Sequence, residues 1–177
     1  MKYYKDENNQ VYAFEADGSQ DAFIPENLVA ITESEANALR FPPADIEVIK
    51  ASQWEAIKAK REQVKEGGVK VGAKWFHSDV ESRVQHLGLK DRARDLLAAG
   101  GAMTDRLQVG GADIQWKTQN GTLIYITAQI AFDIVAAVGV LDALAHQNAE
   151  VHKVAMEASA EPAAYDFSTG WPVVYEG

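Results

Sequence analysis

Histidines are the first place to look for chemistry in this chain, because they exchange protons near neutral pH and bind metals. The chain has four. His77 and Asp79 stand two apart at the end of a strand-like segment. That spacing can put both side chains on one face, as an acid–base pair or part of a metal site would need. The competing role is structural, with Ser78 or Asp79 capping the next helix and His77 packed or at the surface. The structural role is the expectation. His146 and His152 stand six apart on a helical segment. Helical metal pairs need a spacing of three or four, so surface positions are expected for both. His86 falls on a charged helix with no partner at ligand spacing.

Other catalytic signatures are missing. There is no cysteine, which removes thiol nucleophiles, disulfides and thiolate metal sites. No G-x-S-x-G elbow is present. Gly67-Gly68 and Gly110-Gly111 do not have the spacing of a phosphate cradle. The expectation is a protein with no catalytic residues, no metal and no cofactor. A glycan hydrolase working through an unrecognised carboxylate pair is the remotest alternative.

Composition points the same way. A net charge of -9 opposes binding to nucleic-acid backbones and anionic membranes. No apolar run reads as the roughly 18–20 residues of a membrane span, so membrane insertion is not expected. Met1-Lys2-Tyr3-Tyr4-Lys5 does not read as a secretory signal. At 177 residues the chain fits one domain, or a main domain with a small appendage.

The elements that would position these residues follow from periodicity and capping. Lys2–Lys5 and Gln10–Phe14 read as a hairpin around Asp6-Glu7-Asn8-Asn9. Phe23-Ile24-Pro25 and Leu28–Ile31 read as extended. Thr32 with Glu35 makes a capping box for a helix that ends before Phe41-Pro42-Pro43. Residues 1–40 therefore form a small β-rich module, 41–51 a linker and 52–177 an α+β domain. In that domain Ser52 opens a helix that stops at Gly67-Gly68. Two short strands around Gly72 follow, then a helix from Val80 that Gly88 is placed to interrupt before Gly100-Gly101 ends it. Residues 100–112 read as a loop. Asn120-Gly121 turns a hairpin, because both turn residues tolerate positive φ.

Thr127 caps the most certain element, a helix over about 128–158. Ile130, Ile134, Leu141, Leu144 and Val151 recur at helical spacing. In a heptad frame Asn148 takes an a position, a device that sets register and partner number. Ala136, Gly139 and Ala143 make a smooth surface that a second backbone could approach. Self-association is thus one use of the helix, and packing on the protein's own core is the other. The tail carries Tyr165, Phe167, Trp171 and Tyr175, which suggests that it packs onto something. Trp171 and Tyr175, with Tyr3 and Tyr12 of the first hairpin, are the candidate partner-binding anchors.

The series Trp54, Ile57-Lys58, Arg61, Gly67-Gly68, Phe76-His77-Ser78-Asp79, Ile114–Lys117, Asn120-Gly121 and Ile126-Thr127-Ala128 resembles a known domain. So does Tyr165-Asp166-Phe167 with Gly170-Trp171-Pro172. That domain recurs at the C-terminal end of tailed-bacteriophage tail-fibre assembly proteins. The resemblance covers about residues 52–172; the start of the chain is only loosely similar to such proteins. It implies a non-enzymatic chaperone of the trimeric tail fibre, acting in the host cytoplasm during assembly. It also implies an alternative: a permanent structural or host-recognition part of the virion, at the fibre or baseplate.

Overall fold

A computed structural model describes all residues from Met1 to Gly177. The fold is α+β: four helices, small antiparallel sheets, a long C-terminal helix and a strand-rich N-terminal module. The chain divides into two units, Met1–Val48 and Ile49–Gly177.

In the first unit, β1 (Lys2–Lys5) lies between β2 (Val11–Phe14) and β3 (Val29–Ile31), antiparallel to both. Asp6 builds the hairpin loop by accepting from the backbone N–H of Asn8 and Gln10. Asn9 takes the left-handed turn position, a conformation that asparagine tolerates. A 3-10 turn at Asp21–Phe23 takes in Phe23, the first residue of the segment expected to be extended, and Ile24 after it has extended backbone. Helix α1 (Glu33–Arg40) starts at the Thr32–Glu35 capping box, with both reciprocal hydrogen bonds formed.

The expected linker is largely helical. Helix α2 runs from Ile46 to Glu66, so the irregular stretch shrinks to Phe41–Asp45. Asp45 accepts from the Glu47 N–H and caps the helix there, which leaves the Ser52 box in its interior. Two more hairpins differ from expectation in detail. Strands β4 (Val69–Val71) and β5 (Lys74–Phe76) join through a two-residue turn with positive φ at Gly72 only. The expected loop 100–112 contains β6 (Gln108–Val109) and β7 (Ala112–Asp113), joined by Gly110 and Gly111, both at positive φ. This turn suits a tight hairpin because glycine accepts both left-handed positions.

Strands β8 (Gln115–Lys117) and β9 (Leu123–Tyr125) form the Asn-Gly hairpin. In its loop Gly121 alone has positive φ, and its N–H donates to Thr118 O while Thr118 N–H donates to Thr122 O. Helix α3 (Val80–Ala98) passes through Gly88 unbroken. It ends as expected at Gly100, with Gly101 N–H reaching Leu96 O and Gly100 N–H reaching Leu97 O.

Helix α4 (Ala128–Ala158) spans 31 residues and packs along α3. Its buried stripe includes Ile134, Leu141, Ala145, Ala149, His152 and Met156. The stripe drifts across a seven-residue frame, from Ile134 and Leu141 to Ala145 and His152 and then to Ala149 and Met156, as it does on a straight helix. Leu144 and Val151, expected in the same stripe, lie outside it and are exposed. The main core joins α3 and α4 to the hairpins through Phe76, Leu89, Leu107 and Ile126. A second cluster joins Ile57 of α2 to Ala149 and Met156, with Trp54, Tyr165, Phe167 and Trp171 around it.

Candidate functional site

The residues with the strongest chemical potential prove to organise the fold. Phe76-His77-Ser78-Asp79 forms the corner between β5 and α3. Asp79 accepts from the Ser82 backbone N–H at 2.9 Å and from its hydroxyl at 2.7 Å, capping α3. These bonds hold the Asp79 carboxyl below the usual carboxylate range. Ser78 is fully buried. Its hydroxyl accepts from Gly68 N–H at 2.8 Å and donates to Lys65 O at 2.6 Å, closing the end of α2. Arg83 completes the corner. Its guanidinium donates to Lys65 O, to Ser78 O and, through two nitrogens, to Asp142 of α4.

The other histidines divide between core and surface. His86 is buried between Phe76 and Trp116, against the expectation of a helix surface. Its Nε2–H donates to His77 O at 3.0 Å, while Nδ1 is buried with no partner. Burial pushes its pKa below the ordinary histidine value. His152 is also buried, against the expectation of a surface position. Its Nε2–H donates to Thr169 O, so Nδ1 accepts from the Tyr165 hydroxyl, both at 2.9 Å. The ring stacks on Trp171 at 5.2 Å. The histidine thus clasps the tail to α4. His146 is exposed. No group of three or more His, Cys, Asp or Glu side chains is placed to hold a metal ion.

The four candidate aromatic anchors are engaged within their own units. Trp171 packs on both cores and donates Nε1–H to Phe167 O at 2.7 Å. Tyr175 lies 6.0 Å from Trp75, and its N–H bonds to Gly67 O. Tyr3 sits under Arg40 of α1, and the Tyr12 hydroxyl donates to Asp6. Strand register puts Tyr3 with Ala13 and Ile31, and Tyr12 with Tyr4 and Ala30, on opposite faces of the sheet. The aromatics that stand free are Phe23 and Phe41, 77% and 76% exposed, which the sequence reading passed over.

The surface best suited to a partner lies on the two long helices. Ala136, Gly139 and Ala143 are exposed along the side of α4 that faces away from the core, as the sequence reading allowed. Asn148 is half-buried at the core-ward flank. Beside the small residues stand Val140, Leu144, Val151 and Val154, all exposed. Val80, Val84 and Leu87 form a second apolar row on α3. Two grooves flank α4. One, of about 350 Å³, runs between Val140 and Leu144 and the tail residues Pro172 and Val173. The other, of about 190 Å³, lies between Leu87 and Val135 and Val138. By length and composition α4 could even cross a membrane, contrary to the sequence expectation, and only 28% of its most apolar window is buried. What this arrangement can do is bind apolar protein surface.

No curated protein and no solved structure matches the chain. A family model does, over residues 48–169, under the description "domain of unknown function (DUF4376)". The match takes in α2, the Ser78 corner, α3, the three hairpins and α4, so the chain belongs to that family.

Proposed function

We propose that this protein is a non-enzymatic assembly chaperone that binds the trimeric tail fibre of a tailed bacteriophage. The sequence resemblance supplies the fibre. The family itself carries no assigned role. The observation that carries the binding half of the reading is the apolar outer face of α3 and α4. A helix that is apolar on all sides belongs inside an assembly, because water does not favour such a surface. Every histidine in the α+β domain except His146 is half-buried or buried, and the most chemically suggestive corner is occupied in closing helix ends.

Co-expression with a tail-fibre gene tests the reading. Folded trimeric fibre should accumulate with this protein and fall several-fold without it. Equal yields in its absence would refute the chaperone role. Mass spectrometry of purified particles then separates a transient chaperone, absent from the particle, from a permanent tail component.

A further inference from the structure

We infer that the outer face of α3 and α4 is the interface of a homodimer, in which α4 of one chain crosses α4 of a second copy near Ala143. The inference rests on reading this face as a protein-binding surface, not on the identity of the fibre, and it makes a second copy the resting occupant that a fibre displaces.

The area fits a second copy. The exposed rows on α3 and α4, together with Val173, are 43% to 82% exposed residue by residue. Together they leave roughly 800 Å² uncovered, about what one partner contributes to a standard interface. The rows are continuous. Arg83 meets Asp142, Leu87 meets Val135 and Val138, and Lys90 lies over Phe132, so α3 runs antiparallel beside α4. Helical periodicity then turns Val84 and Leu87 to the same side as Gly139 and Ala143. Val140 and Leu144 continue the surface to the groove beside Val173.

The charge pattern fits as well. From Ile134 to Ala145 the only charged side chain on α4 is Asp142, which Arg83 of the same chain already holds. A partner covering this stretch strands no charge, the condition that a dry interface centre needs, while the exposed Glu150 lies two turns beyond Ala143. At its centre a Cβ added to Gly139 meets nothing within 4 Å in the chain itself. With Ala136 and Ala143 beside it, two helices can approach to the roughly 8 Å of close packing. A two-fold places this smooth ridge on both chains and presents each ridge to the partner's flanking grooves. A membrane is a poorer occupant: the opposite side of α4 is committed to the core, and the net charge is -9.

The test uses the full chain in sedimentation velocity and in gel filtration with light scattering. Wild type should run at twice the chain mass. The double variant V140E/V151E should be monomeric with unchanged circular dichroism, because both side chains point to solvent. The chain has no cysteine, so Ala143→Cys gives a single thiol. It should form a disulfide-linked dimer on oxidation, whereas Glu7→Cys in the first unit should not. A monomeric wild type overturns the proposal. So does a dimer that V140E/V151E leaves intact, or a monomer that floats with vesicles of neutral phospholipid. The fibre reading fails separately: a dimer that leaves fibre yield unchanged refutes the chaperone and keeps the interface.

Discussion

Arg83→Met is the sharpest test of how the domain is held together. The guanidinium bridges three elements. It reaches Asp142 Oδ2 at 2.7 Å and Oδ1 at 3.0 Å on α4, and Lys65 O at 2.7 Å at the end of α2. It also donates to Ser78 O at the start of α3. Methionine keeps most of the aliphatic stem against Leu87 and Val138 but removes every donor. The side chains of Arg83 and Asp142 are 21% and 33% exposed, so the pair is neither dry nor fully screened. Breaking a fully buried pair costs about 3–5 kcal/mol, and a surface pair is worth at most about 1. Partial exposure and the two lost carbonyl contacts place Arg83→Met at about 2–3 kcal/mol. Asp142→Asn, which keeps the shape and one acceptor, should cost about 1 kcal/mol. The double variant should show a coupling near 1 kcal/mol. Urea titration followed by tryptophan emission is the assay. Trp54, Trp75, Trp116 and Trp171 all lie in the second unit, so the signal reports that unit alone. A loss below about 0.5 kcal/mol for Arg83→Met would mean that solvent already satisfies these groups, and the bridging role would be refuted.

Four further outcomes can be read in the same assay or beside it. Ser78→Ala strands Gly68 N–H and Lys65 O in a buried corner and should cost about 2–3 kcal/mol by urea titration. Gly67→Ala places a Cβ 2.6 Å from Val174 Cβ, so it should lift the tail and cost about 1–3 kcal/mol. Limited proteolysis should then release the C-terminal segment first. Gly88→Ala, inside α3 with open space around its Cβ, should raise the stability by about 0.5–1 kcal/mol. His86 is held neutral by burial, so the unfolded chain binds its proton first as pH falls. Stability should drop on acidification below the ordinary histidine pKa, by at most about 1.4 kcal/mol per pH unit for one proton. Repeating the titration between neutral and mildly acidic pH should show the drop shrinking in His86→Gln, whose amide can still donate to His77 O. An unchanged pH profile in that variant would assign the drop elsewhere.

Local chemistry made much of the fold legible. The Thr32–Glu35 box, Asp79 as a cap, the glycine stops after α2 and α3 and the Asn-Gly hairpin each depend on neighbours within a few residues. Such signals are visible in sequence because their physics is local. The misreadings came from signals that compete. Asp45 and Ser52 both resemble helix caps, and nothing local says that the earlier one begins the helix and the later one is carried inside it. Pro42-Pro43 ended α1, and the next helix begins at Ile46, inside the stretch expected as a linker. His86 and His152 carry no local mark of burial. Their places follow from partners such as Trp116, Tyr165 and Thr169, which the fold brings from elsewhere in the chain.

The surface on α4 was only half legible, for a physical reason. Apolar residues occupy nearly the whole circumference of the helix between Ile134 and Ala145. Periodicity finds a buried face only where polar residues mark the opposite one, and here that contrast is absent. A seven-residue frame therefore fitted, and it assigns Leu144 and Val151 to the buried stripe. The fold breaks that frame, because His152, Met156 and Ala149 are the residues that meet Trp171, Tyr165 and Ile57. That decision pushes Val140, Leu144, Val151 and Val154 outward together. The ambiguity in the sequence and the bare surface in the structure have one origin. The helix carries two apolar faces, one for its own core and one that its own chain does not cover.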